Sequence, residues 1–193
     1  MLPNKRILVG TILIVILQLF MTSCGKEKKA LPFYDTETSN ESITDSEDID
    51  SSGDEFEILD GETDVSVPFI EKSGIKYVNV SINGQPFNMI FDTGCSGTLI
   101  SVAEANYLYK KGCLTNEDYR GTENVQIADG SIVENMVFNL KEIIIDGRIV
   151  FRNVRATVSA NSGAPLLLGN EVLNRVPTYE IDNENKVINF RLR

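Results

Sequence analysis

Met89-Ile90-Phe91-Asp92-Thr93-Gly94-Cys95-Ser96-Gly97-Thr98-Leu99-Ile100-Ser101 sets one carboxylate in a run that is otherwise small or apolar. A strand of such residues ending at Asp-Thr-Gly delivers Asp92 to the rim of a core, where the charged form is disfavoured and the pKa becomes tunable. Thr93 adds a hydroxyl, and Gly94 permits a sharp turn and close backbone approach. The β-branched pattern of Thr98-Leu99-Ile100 then returns the chain to a sheet. By itself Asp-Thr-Gly is a common surface turn. A surface turn is seldom preceded by Phe-Asn-Met-Ile-Phe and followed by Thr-Leu-Ile-Ser, so the flanks favour a built site.

Outward from this stretch, short apolar runs alternate with turn signals from Val65 onward, the mark of an all-β domain. Residues 76–82 alternate with period two, Asn83-Gly84 is a strong hairpin turn, and Gln85 to Phe91 returns to Asp92. Ser101 with Glu104 three residues on predicts a helix N-terminus, and Gly112 its end. A strand over 121–128 turns at Asp129-Gly130 into residues 131–145, and Asp146-Gly147 turns again into 148–158. After a loop, Leu166-Leu167-Leu168-Gly169 reads as a buried strand, followed by a short helix over 170–175. Strands over 179–182 and 186–192 end the chain.

The 193 residues contain no His and no Trp. That excludes Ser-His-Asp and Cys-His hydrolases and His-ligated zinc, and leaves acid–base work to carboxylates, Lys, Tyr or Cys. The net charge of −10 is concentrated, since residues 31–70 hold no Lys or Arg. Residues 66–193 carry 13 basic and 14 acidic side chains. No basic cluster suggests nucleic acid.

Lys5-Arg6 precede an apolar run over 7–20, then Met21-Thr22-Ser23-Cys24. This is the pattern of an export signal, and it resembles that of bacterial lipoproteins. The resemblance implies a signal peptide over 1–23, lipidation of Cys24 and a membrane-anchored place in the cell envelope. An uncleaved anchor is the alternative. Residues 24–64 are polar and acidic, too poor in apolar surface to offset their ordering entropy, and read as a disordered tether. Cys95 and Cys113 read as small buried hydrophobes, with a disulfide as the alternative.

Three features in order resemble the retropepsin-like aspartic proteases: the hairpin into Asp92-Thr93-Gly94, the Gly-tipped hairpin Ala128-Asp129-Gly130, and Leu166-Leu167-Leu168-Gly169 with its helix. The resemblance covers most of 65–193. It implies a single-lobe, all-β barrel with one or two short helices. Asp92 would be catalytic, with Thr93, Gly94 and Ser96 supporting its loop and Ala128, Asp129 and Gly130 forming a flap over a peptide substrate. Many relatives have Ala where Cys95 stands, and oxidation there would block the site. No metal or cofactor is required. Two carboxylates are needed, and residues 65–193 are about half of what a two-lobed enzyme occupies. The second must therefore come from another copy, in a twofold homodimer. A non-catalytic peptide-binding envelope lipoprotein with the same fold is the alternative, and a structural lipoprotein whose Asp-Thr-Gly is only a turn is a third reading.

Overall fold

The computed structural model describes residues 56–193 apart from 60, 62 and 128. The expected signal peptide, Cys24, most of the expected tether and Ala128 lie outside the described residues. Eleven strands form one mixed sheet: β1 (Phe56–Ile58), β2 (Asp64–Lys72), β3 (Ile75–Ile82), β4 (Gln85–Phe91), β5 (Thr98–Ser101), β6 (Tyr119–Gln126), β7 (Ile132–Ile145), β8 (Ile149–Ser159), β9 (Leu167–Leu168), β10 (Thr178–Asp182) and β11 (Val187–Arg191). The order runs β10-β11-β2-β3-β4-β9-β5-β8-β7-β6, and a further β3–β7 pairing closes β3, β4, β9, β5, β8 and β7 into a barrel.

Local chemistry fixes the hairpins. Ser73-Gly74, Asn83-Gly84 and Asp146-Gly147 each place both residues at positive φ, 52° and 79°, 47° and 79°, and 48° and 69°. These are the mirror-image turns whose twist matches that of paired strands. Alternation then decides which side chains enter the barrel. Val78, Val80 and Ile82 of β3 point inward, as do Met89 and Phe91 of β4. Met89 and Ile100 are fully buried, and each such side chain stabilises the fold by about 1.5–3 kcal/mol.

Helix α1 (Val102–Lys110) starts where Ser101 and Glu104 predict. Its cap differs in detail from the expected reciprocal box: the Ser101 hydroxyl accepts from Ala103 N at 3.0 Å and donates to the Glu104 carboxylate. Gly112 ends it at a φ of 71°. Ala105 and Leu108 are its buried residues. A 3-10 turn over Asn116–Asp118, unforeseen in the sequence, follows. Helix α2 (Asn170–Leu173) is shorter than the span to Arg175 read from the sequence. Among the described residues, no helix is long and apolar enough to cross a membrane.

The tether reading over 24–64 is too long at its C-terminal end. Residues 56–58 are strand β1, paired antiparallel with β8, Phe56 opposite Phe151. The Phe56 ring lies 6.3 Å from the fully buried ring of Phe151, and Glu57 pairs with Arg152 at 3.0 Å. The ion pair is exposed and adds little, so the apolar cover accounts for the docking. A chain beginning at Asp64 is therefore expected to fold but to melt several degrees below one beginning at Gly53, a loss of about 1–2 kcal/mol. Equal melting temperatures by circular dichroism would show that β1 contributes nothing.

Candidate active site

The loop carrying Asp92 is held from three sides. Strand β9 lies between β4 and β5, parallel to β4 with Phe91 opposite Leu168, and antiparallel to β5 with Leu99 opposite Leu167. Asp92 N donates to Leu168 O at 3.1 Å. Behind the loop, Asn170 N donates to Cys95 O at 2.9 Å, and the Asn170 side chain donates to Thr93 O at 3.2 Å. Gly169 is the contact point. A Cβ there would stand 2.1 Å from Gly97 O and 2.6 Å from Cys95 O. Its φ is −107°, so glycine is required by close approach and not by conformation.

Asp92 is half-buried at the end of β4. Gly94 N donates to its Oδ1 at 2.9 Å, which orients the carboxylate from below and leaves its other oxygen free of that bond. Thr93, Gly94 and Ser96 are exposed. Among the described residues, the Thr93 hydroxyl has no partner within the chain, and Ser96 lines the cleft rim without a hydrogen bond to the loop. Thr98, fully buried just beyond, holds a hydroxyl without a partner.

Cys95 and Cys113 are free thiols, each partly exposed and not fully buried as the sequence suggested. The Cys95 thiol is 3.3 Å from Gly97 O. Burial, and then the Asp92 charge, push its pKa up against the opposing effect of the Gly97 hydrogen bond. Little of it is thiolate at neutral pH, which slows the oxidation expected to block the site.

Over the loop lies a cleft of about 1410 Å³ whose walls include Asp92, Gly94, Leu99, Val125, Gly130 and Leu167. Its roof is the β6–β7 hairpin, paired Gln126 to Ile132. At its tip Gly130 N donates to Ile127 O at 2.9 Å with φ at 85°. Asp129 is held within its own turn. It accepts from Ser131 Oγ at 2.6 Å and Ser131 N at 2.8 Å, bonds that lower its pKa and brace the turn. Asp129 and Gly130 thus sit at the tip of the β6–β7 hairpin.

One polar wall was missed. Glu123 of β6 accepts from Arg155 at 2.6 Å and from Thr157 Oγ1 at 2.6 Å, both on β8, and all three line the cleft. No signal in the sequence links positions more than thirty residues apart. Among the described residues, no cluster of His, Cys, Asp or Glu is arranged to hold a metal ion.

The geometry agrees with the comparisons. The fold is similar to a solved retropepsin-like aspartic protease from Rickettsia conorii, with a TM-score of 0.50 and 19% identity over 70% of this chain and 92% of that one. No curated protein matches the sequence. The family model described as "gag-polyprotein putative aspartyl protease" matches residues 78–175, which reach from β3 to α2 and so contain the Asp92 loop, the β6–β7 hairpin and the Gly169 contact. The chain therefore belongs to this retropepsin-like aspartyl protease family.

Proposed function

We propose that the protein is a membrane-tethered aspartic endopeptidase that works as a homodimer, with Asp92 of each copy forming the catalytic pair. One observation carries the reading: a half-buried Asp92, oriented by Gly94 N and braced from behind through Gly169, opens into a cleft under a hairpin flap. Two carboxylates brought close cannot both ionise, so the pair shares one proton and titrates as a unit. The ionised member takes a proton from a bound water, which attacks the peptide carbonyl. The protonated member donates to the carbonyl oxygen and then to the leaving nitrogen. The partnerless Thr93 hydroxyls would bond across the axis. The flap edge would pair with an extended peptide and exclude water.

Hydrolysis of a mixed peptide library by the wild type, absent in Asp92→Asn, tests the chemistry. Peptide binding without cleavage by the wild type would instead support a binding module. The tether is tested separately. Cys24→Ser is expected to abolish lipid labelling in cells and to leave a longer precursor, and labelling that persisted would rule the anchor out.

A further inference from the structure

The cleft wall holds a polar side chain that the fold leaves without a partner. Asn135 of β7 is only 7% exposed and lines the cleft, yet its amide makes no hydrogen bond to any described residue. Burying an amide unpaired is costly, and most such groups in folded proteins are paired. The register gives its direction. Asn135 stands directly opposite Glu123 of β6, so the two share one face of the hairpin. From that face Glu123 reaches Arg155 and Thr157 of β8, at 2.6 Å each. The Asn135 amide is therefore aimed into the same polar corner of the cleft.

That corner is within reach of a peptide lying over Asp92. Thr157 lies opposite Leu99 of β5, and Leu99 opposite Leu167 of β9, which pairs in turn with β4. From β8 to β4 is three strand spacings, about 14 Å, which an extended peptide covers in about four residues. Charge selects what enters. An acidic side chain drawn to Arg155 would be repelled by Glu123, and a basic one drawn to Glu123 would be repelled by Arg155. A carboxamide carries no charge, and it offers the donor and the acceptor that match those of Asn135. The remaining carboxylates beside Asp92 on the cleft wall are engaged elsewhere. Glu171 pairs with Arg175 at 2.7 Å, and Glu134, next to Asn135 and so on the opposite face of β7, accepts from the Thr122 hydroxyl at 2.7 Å.

We infer that Asn135, with the Glu123–Arg155 pair beside it, forms a specificity subsite that takes a carboxamide side chain, Gln or Asn, of an extended peptide within about four residues of the bond cut. The cut rests on the peptidase reading above, but the binding does not. The test therefore reads the two separately.

A mixed octapeptide library is passed over the full chain carrying Asp92→Asn, and the retained peptides are identified by mass spectrometry. The same library is then cleaved by the wild type, and the fragments are sequenced. Retained peptides are expected to be enriched in Gln and Asn, and the fragments to show that enrichment at one position near the cut. Asn135→Leu removes the amide at nearly constant shape. It is expected to weaken retention of carboxamide peptides about ten- to a hundredfold, the worth of two hydrogen bonds, and to leave peptides with Leu at that position bound as well or better. Because the amide has no partner within the described chain, the melting temperature should not fall. A marked fall would show that the amide braces the fold, and would overturn the subsite. So would retention of no peptide, retention without preference for Gln or Asn, or an equal loss for all peptides in Asn135→Leu, which would assign the amide to the peptide main chain. Selective retention that depends on Asn135, with no cleavage by the wild type, would uphold the subsite and count against the enzyme alone.

Discussion

Replacing Asp92 with Asn is expected to lower peptide hydrolysis by at least about a thousandfold while leaving the fold unchanged, a loss within the range for removing general acid–base catalysis. The fold survives because the one hydrogen bond that shapes the loop through this side chain, from Gly94 N to Oδ1 at 2.9 Å, can be accepted equally by an amide oxygen. Activity does not survive, because an amide cannot take the water's proton. The variant still pairs with wild type, and a mixed dimer holds only one carboxylate. At a ninefold excess of Asp92→Asn, with pairing complete, random assortment leaves about a tenth of the wild-type activity. Activity that stayed proportional to wild type at any excess of variant would show that one chain suffices.

The second large effect is expected at a residue with no reactive group. Gly169→Ala inserts a methyl where Gly97 O and Cys95 O stand at 2.1 and 2.6 Å. Both are backbone atoms, and neither can rotate away. Overpacking costs typically 1–3 kcal/mol and more where the neighbour is rigid, so the melting temperature should fall by about 10 °C or more. The chain can relieve the overlap only by moving β9 and α2 off the Asp92 loop, which breaks the Asn170 N to Cys95 O bond and misplaces the carboxylate. Folded molecules should therefore also be inactive. Gly97→Ala is the control. It lies in the same loop, and a methyl added there would meet nothing within 4 Å, so it should cost under about 1 kcal/mol. Equal thermal shifts in the two variants would refute the close-approach argument.

The membership in an aspartyl protease family rests on elements that are close in sequence. The apolar lead into Asp92, the Asn83-Gly84 and Asp146-Gly147 turns, the Ser101 cap and the Asp129-Gly130 tip are all short-range patterns. Turn chemistry, capping and strand alternation act over two to five residues, so their outcome is written locally. The Leu166-Leu167-Leu168-Gly169 motif was also visible, but not its physical cause, because the carbonyls that exclude a side chain at Gly169 come from residues 95 and 97.

The features that went unseen share that character. Strand β1 is three residues in an acidic segment, too short for any periodicity, and only the Phe151 ring and the edge of β8 make a strand of it. Arg155, Thr157 and Glu123 meet because β6 folds over the cleft toward β8. By itself the sequence determined the all-β class, the hairpins and the one carboxylate set among apolar residues, since each follows from near-neighbour chemistry. The tertiary structure alone decided the placing of β9 between β4 and β5 and the polar wall of the cleft, because pairing between distant strands is selected by the whole barrel's packing and leaves no mark at either partner alone.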